Sequence, residues 1–478
     1  MKVQCQILSE TDKQVIHEQS LRILSEVGVA LHSQKARAIL KKHGAKVDEL
    51  NAIVTIPEEL VRQALNTAPR SFTLGARLPE KDFHLPSSRS GYVLDNGGIY
   101  IRDFKSGERR ISNSQDNKEL LRVFDEMKFA AVVWPTTVHE LDRRYSTVIT
   151  AITSFIHSTL HIQDELEQPH QVPIIIEALE AILGSAQAVK ERKIYSVIYC
   201  TLPPLGHEGS MCDAYLELLD YEVPICIFPM PSAGSTGPAS LFSNIAMANA
   251  EALSALTLFQ FAKPGTPIIM GDGPGSTDFH TGDFLEGSAE MVLQSAALGE
   301  MARFYNLPNE QAGCLTDAKE HGPQAIMEKM LTTLPLVLNG VDLIQGPGAL
   351  DASNTMSLEQ IVVDDEIALL CQRLRDGVDV SKERDYFDDI KNVGPGGHFL
   401  GQRNTRIAAR SDEFVTPALA DRNSFNQWVE LGRPDLYDNA RVKVEEILSS
   451  PQKNPLPDAV IGKLEDIIQK INQKNLSA

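Results

Sequence analysis

The 478-residue sequence predicts an α/β protein built on a (β/α)8 barrel of the TIM type, with a helical and small-sheet extension before the barrel and a helical tail after it. Three observations carry this expectation. Eight strand-like runs alternate with helix-like runs over roughly 280 residues, the number and span of such a barrel. No G-x-G-x-x-G turn follows the first run, as an open dinucleotide-binding sheet would usually show. Gly-Pro-Gly turns stand just past three strand ends, on the face where barrels hold their ligands.

Residues 1–127 read as an accessory region. Leu21, Ile23, Leu24 and Val27 line a helical face that closes at Gly28, Ser33 caps a second helix, and Pro57-Glu58-Glu59 opens a third. Alternation then replaces helical spacing at Phe72 and Leu74, Val93 and Leu94, and Ile99 and Ile101, with a hairpin turn at Lys105-Ser106-Gly107, so a small sheet is expected. A helix follows over 116–127. The barrel is expected over 128–405, with strands at 129–134, 159–163, 194–200, 223–228, 267–271, 311–316, 341–345 and 393–400. Helical runs at 143–155, 172–183, 239–261, 287–305, 324–334 and 358–375 lie between them. Residues 340–366 display one such unit whole. A short apolar run passes into Gly346-Pro347-Gly348, then a polar loop over 349–356, then a helix opened by Ser357 with Gln360 at capping-box spacing. Residues 406–478 form a helical extension whose last amphipathic helix, with Leu464, Ile467, Ile468 and Ile471, packs on the barrel or on a second subunit. A homo-oligomer is expected.

Composition narrows the function. Lys and Arg total 45 against 64 Asp and Glu, a net charge of -19, which argues against nucleic acid and anionic membrane surfaces and favours cationic small molecules. Six scattered cysteines without a C-x-x-C pair indicate neither a disulfide framework nor a thiolate zinc site. The amino terminus lacks the apolar core of a signal peptide and no uninterrupted apolar segment approaches ~18 residues, so a cytoplasmic protein is expected.

The candidate chemistry gathers at strand ends. Turns at Gly273-Pro274-Gly275, Gly346-Pro347-Gly348 and Gly394-Pro395-Gly396-Gly397 let backbone approach a ligand or docking protein closely. Beside them stand Asp272, Gln345 and His398, with Asp164 and Glu165 after the second strand and Asp317, Lys319, Glu320 and His321 after the sixth. Trp134, Tyr199 and Phe228 supply aromatic faces of the kind that hold an ammonium group. His157 and His161 share an i, i+4 spacing but lack the glutamate of H-E-x-x-H, so no metal is expected. Asp278-Phe279-His280-Thr281-Gly282 departs from the cobalamin pattern D-x-H-x-x-G, and neither a Walker sequence nor a G-x-S-x-G elbow occurs.

Read together, IHEQSLRILSEVGV, IPEELVRQALNTAPR, IRDFKSGERRISNSQD, GPGALDASNTMSLEQIVVDDE, GPGGHFLGQRNTR and PALADRNSFNQWVELG resemble the trimethylamine methyltransferase family, over residues 14 to 470. That resemblance implies a (β/α)8 barrel that moves a methyl group from a methylated amine to the Co(I) cobalamin of a separate corrinoid protein. The sequence contains standard residues only, so it is similar to the branch without pyrrolysine, which acts on quaternary amines such as glycine betaine. Chemistry agrees with that division, because a quaternary ammonium already carries a neutral amine as its leaving group and needs positioning rather than a general acid. On this reading Asp272 and His398 are the catalytic candidates, and Gln163, Gln345, Trp134, Tyr199 and Phe228 contact substrate. Gly273, Gly275, Gly346, Gly348 and Gly396 form a cofactor-facing rim. Asn404 stands where a histidine is expected in many relatives. A quaternary-amine binding protein without catalysis and a lyase or hydrolase on the same barrel are the alternatives.

Overall fold

The computed structural model describes residues 3–476 apart from positions 137 and 139. Its centre is a closed, all-parallel barrel of eight strands: β1 (Gly91–Leu94), β2 (Ala130–Val133), β3 (His161–Asp164), β4 (Tyr195–Cys200), β5 (Ile225–Phe228), β6 (Ile268–Asp272), β7 (Asn309–Ala312) and β8 (Leu343–Gln345). Neighbours in space are neighbours in sequence, and β1 closes the ring between β8 and β2 through the pairs Gln345↔Val93 and Val93↔Val132.

One strand differs from the sequence expectation. Residues 393–400 do not form the eighth strand; they lie in and after a short helix and are largely exposed, with Gly394, Pro395, Gly396 and Gly397 interrupting any ladder. The missing strand is Gly91–Leu94, buried at all four positions and assigned above to a small accessory sheet. The barrel therefore begins inside the region taken as 1–127, and its last helix ends at Asp376.

Eight helices cover the strands: α1 (Ser114–Asp125), α2 (Ser146–His157), α3 (Val172–Leu183), α4 (Gly209–Leu218), α5 (Leu241–Ala262), α6 (Ala289–Phe304), α7 (Pro323–Asn339) and α8 (Leu358–Asp376). Side-chain caps fix several starts, with Asn113 and Asp116 forming a capping box on α1 and Ser240, Ser288 and Ser357 capping α5, α6 and α8. Helix α5 is long and apolar enough to cross a membrane by length and composition, but 89% of its most apolar window is buried inside the protein. Being apolar all round, it is a core helix packed between the barrel and the amino-terminal helices.

The extensions brace this unit. A small sheet built on Val29–Leu31 and Ile53–Thr55 adds Gly206–His207 from the loop after β4, which ties the amino-terminal lobe to the barrel. The hairpin of Phe72–Leu74 and Phe83–Leu85 places Phe83 against Gly91 at the amino-terminal end of β1, where an added Cβ would lie 2.6 Å from the ring. After α8 come three short helices, α9 (Phe387–Val393), α10 (Arg403–Ala409) and α11 (Phe425–Glu430), then α12 (Leu436–Ser449) on α8 and α1. The terminal helix α13 (Asp458–Leu476) buries Leu464, Ile467 and Ile471 and packs on α2 and α3 of its own barrel.

Candidate functional site

Strand register decides which side chains enter the barrel. Alternate residues of each strand point inward, and the pairs Cys200↔Phe228 and Gly271↔Glu310 turn both members of each pair to the same side of the barrel wall. Gln163 of β3 and Glu310 of β7, from opposite sides of the ring, meet inside it. The Gln163 amide Nε2 donates to Glu310 Oε2 at 3.2 Å. Above them the rings of Trp134 and Phe228 meet edge to face with centroids 6.0 Å apart. Glycine makes room for this pair: a Cβ on Gly271 or Gly273 would lie 2.6 or 2.7 Å from the Phe228 ring. The lumen side of β6 is thus bare so that one large aromatic can occupy it.

The polar groups of this chamber are unusually placed. Glu310 is fully buried, and desolvation pushes its carboxyl up to about 7 although the Gln163 amide and Cys226 thiol favour the charged form. Trp134 Nε1, Gln163 Oε1 and Glu310 Oε1 are buried without a hydrogen-bond partner among the described residues. An unpaired buried polar atom costs ~1–3 kcal/mol. Three such atoms stand on residues of the lumen that also holds the aromatic pair, where an additional polar or charged group would satisfy them.

A second tier of carboxyls lies at the carboxyl end of the barrel. Gln345 Nε2 donates to Asp95 Oδ2 at 2.9 Å, and Ser353 Oγ lies 3.3 Å from that oxygen and 2.6 Å from Glu286 Oε2. A hydroxyl has one proton, so it satisfies one carboxylate at a time. Burial raises Asp95 to about 6; burial first and the Asp95 carboxylate next raise Glu286 to about 8. Asp317 holds the Glu286 segment by accepting the N–H groups of Glu286 and Gly287 at 2.8 and 3.0 Å. Ser353 ends three consecutive non-glycine residues at positive φ, Asp351 (58°), Ala352 (47°) and Ser353 (60°). The N–H groups of Asp351 and Ala352 bond the carbonyls of Ala318 and Thr316, which sustains this costly conformation. Glu165 adds another raised carboxyl, held up by burial, and accepts the Cys200 thiol at 3.0 Å.

The Gly346-Pro347-Gly348 turn is anchored from behind by a buried ion pair. Lys329 Nζ of α7 donates to Asp364 Oδ2 of α8 at 2.9 Å and to the carbonyl of Cys314 at 2.7 Å, while Gly348 N–H donates to the same Asp364 oxygen at 2.8 Å. Gly346 adopts φ 146°, and a Cβ there would lie 2.0 Å from the Gly313 carbonyl. The turn is therefore backbone-critical.

Of the residues singled out from sequence, Gln163, Trp134, Phe228 and Gln345 meet in or at the lumen. Five of the expected residues require correction. Tyr199 has the opposite strand parity; it is fully buried against Phe259 of α5 and Tyr215 of α4, with its hydroxyl 3.1 Å from His207 Nδ1. Asp272 likewise faces the helix layer, paired in register with Gln311, whose side chain lies against Gly299 of α6. His398 and Gly396 lie exposed beyond the barrel, because 393–400 is not a strand. Gly275 serves the hairpin at 275–285, where a Cβ would strike the Phe284 ring at 1.9 Å, while Gly273, Gly346 and Gly348 stay at the carboxyl-terminal face. Sequence reading missed Asp95, Glu286 and Glu310. Glu310 lies in a strand of sequence Asn-Glu-Gln-Ala, which the sequence expectation begins only at Gln311.

The family model described as trimethylamine methyltransferase (MTTB) matches residues 2–475. The chain is similar to a glycine betaine methyltransferase of Desulfitobacterium hafniense, 29% identical over 472 residues, which cover 97% of this chain and 96% of that protein. It is likewise similar to a trimethylamine methyltransferase of Methanosarcina barkeri, 29% identical over 488 residues, covering 98% and 96%. Among solved structures, the monomethylamine methyltransferase of Methanosarcina barkeri aligns with a TM-score of 0.48 at 13% identity, over 92% of this chain and 94% of that one.

Proposed function

The chain belongs to the trimethylamine methyltransferase family, and we propose that it moves a methyl group from a quaternary amine of the glycine betaine type to the Co(I) corrinoid of a separate protein. The observation that carries the substrate reading is the lumen itself, where Trp134 and Phe228 stand over a buried Glu310 with three polar atoms unpaired. Aromatic faces and a carboxyl hold an alkylated ammonium without a hydrogen bond to its nitrogen. Trp134 Nε1–H is the free donor for the oxygen of a betaine carboxylate, and Gln163 Oε1 is a free acceptor.

A reduced corrinoid supplies the nucleophile that accepts the methyl group. The chain's residues exclude water, orient one N–methyl bond along the barrel axis and release a neutral tertiary amine, so no proton has to be delivered. Because positive charge leaves the nitrogen as the methyl departs, Glu310 and Asp95 stabilise bound substrate more than the transition state; they set KM more than kcat. Met230, Phe242, Phe279 and Phe284, exposed on the segments after β5 and β6, give the barrel mouth an apolar rim suited to a docking protein. Unpaired cysteines at all six positions fit the cytoplasmic setting expected above.

The test is incubation with glycine betaine and a reduced corrinoid protein, followed by mass spectrometry of the amine. Loss of one methyl, giving dimethylglycine, is the expected result. No demethylation of any quaternary amine offered would overturn the reading, and calorimetric binding without turnover would leave an amine-binding protein.

A further inference from the structure

A quaternary ammonium has no N–H, so it settles against aromatic rings and a carboxyl but donates no hydrogen bond. The upper tier of the barrel is short of donors. Gln345 pairs in register with Ala312, two residues past the pair Glu310↔Leu343, which sets the Asp95 carboxyl held by Gln345 ~7 Å nearer the mouth than Glu310. There Ser353 Oγ, with its single proton, lies 2.6 Å from Glu286 Oε2 and 3.3 Å from Asp95 Oδ2. Glu286 Oε1 has no hydrogen bond among the described residues. Burial holds Glu286 up to about 8, so the chain meets part of the shortage by keeping a proton. A separate observation points the same way. Thr136 is 1% exposed, and its Oγ1 has no partner among the described residues. Its Cγ2 lies 3.2 Å from where a Cβ on Gly98 would stand, and Gly98 N–H donates to the Ser353 carbonyl at 2.7 Å, so Thr136 borders this tier.

We propose that Ser353, Glu286 and Thr136 form a second subsite that takes a hydroxyl on the carbon chain of the methylated amine, so that the preferred substrate carries an alcohol near its quaternary nitrogen. The inference rests on the function proposed above and narrows its substrate. The hydrogen-bonding groups select the ligand. A carboxylate only accepts and would face two acids, and a protonated amine only donates and would leave the Thr136 proton unmatched. A hydroxyl donates to Glu286 and accepts from Thr136 or Ser353. The backbone holds both halves of the subsite from one loop, the segment after β7. Asp317 accepts the N–H groups of Glu286 and Gly287, while the carbonyls of Ala318 and Thr316 accept the N–H groups of Asp351 and Ala352, the positive-φ residues that precede Ser353. Glu328 of α7 braces that loop in turn, its Oε2 accepting the Thr316 hydroxyl at 2.6 Å and Asp317 N–H at 2.8 Å. Glu286 and Ser353 are thereby fixed relative to each other before any substrate arrives.

The experiment is calorimetry of the full chain with two pairs of amines that differ by one hydroxyl: choline against ethyltrimethylammonium, and the β-hydroxy derivative of γ-butyrobetaine against γ-butyrobetaine itself. In at least one pair the hydroxylated member should bind roughly 10–100-fold more tightly, the worth of a hydrogen bond to a charged group. Ser353→Gly and Thr136→Val should each shrink that ratio. Glycine accepts the φ of 60° at position 353 without strain, and valine keeps the shape of threonine, so both variants should retain the wild-type circular dichroism spectrum. Equal affinities within both pairs would overturn the subsite and leave the quaternary-amine reading standing. Binding of no quaternary amine at all would overturn that reading and the subsite with it. A hydroxyl preference that persists undiminished in both folded variants would also overturn the proposal, since other residues would then hold the alcohol.

Discussion

Glu310 is where the chemistry of the lumen can be tested most directly. Its carboxyl titrates at about 7 because it is buried, and a cation bound against it favours the ionised form. Below that pH a proton must leave before the cation can pair with it, and above it no proton is released. Affinity for a methylated ammonium should therefore rise by up to tenfold per pH unit from pH ~5.5 and level off above ~7.5, with Asp95 at about 6 adding to the lower limb. Calorimetry across that range measures this, and a flat Kd would remove Glu310 from the site. Glu310→Gln should weaken binding roughly 10–100-fold, the worth of ~1.5–3 kcal/mol for a charged partner. It should also abolish the upper part of the pH dependence while leaving the fold at least as stable, since an amide carries no charge to desolvate. This residue escaped sequence reading because its strand, Asn-Glu-Gln-Ala, is polar and is expected from sequence to begin only at Gln311. In a parallel barrel both faces of a strand are apolar, so Tyr199 and Cys200 give no sign of which one faces inward. A single step of register moved Tyr199 and Asp272 to the helix layer, and the same parity put Glu310 in the lumen.

The turn after β8 was legible in outline, because glycine, proline and a Ser357 cap are local signals that need no tertiary knowledge. What lay behind it was not. Lys329 and Asp364 are 35 positions apart in sequence, on α7 and α8, and meet only once the barrel closes. Both side chains are fully buried, and Asp364 also accepts Gly348 N–H. Lys329→Met would leave an uncompensated carboxyl and free the Cys314 carbonyl, a loss of ~3–5 kcal/mol in denaturant unfolding. Adding Asp364→Asn should recover a substantial part, since it removes the stranded charge while keeping a side-chain carbonyl for Gly348; a double variant no better than the single would mean that packing, not charge, dominates. Gly346→Ala should destabilise by a comparable route, because its φ of 146° and the 2.0 Å approach to the Gly313 carbonyl leave no space for a Cβ. The eighth strand shows the converse case. Glycine and proline in 393–400 were punctuation of an exposed arm, while the four buried residues of β1 were too few to outweigh the hairpin pattern around them.

Across the whole molecule, the buried acids make an opposite demand to the buried histidines, and their balance fixes how stability depends on pH. His161 and His207 are held down to about 4 by burial, so the folded chain binds fewer protons than the unfolded chain between pH ~4 and ~6.5. Their contribution is lost as pH falls through that window. Glu251 and Glu310 are raised to about 7 and Glu286 to about 8, chiefly by burial, so the folded chain holds protons that the unfolded chain has released above pH ~4.3. Their contribution is lost as pH rises. Between pH ~6.5 and ~8.5 the histidines are neutral in both states and only the acids act. The melting temperature of the ligand-free protein should therefore fall across that interval. Saturating quaternary amine should reduce the slope, because an ionised Glu310 paired with a cation is no longer a buried lone charge, and Glu310→Gln should reduce it without ligand. A ligand-free melting temperature that stays level or climbs from pH 6.5 to 8.5 would show that these carboxyls are already ionised in the folded chamber. The lumen would then be a permanently anionic cage, and the pH-dependent affinity argued from Glu310 would fail with it.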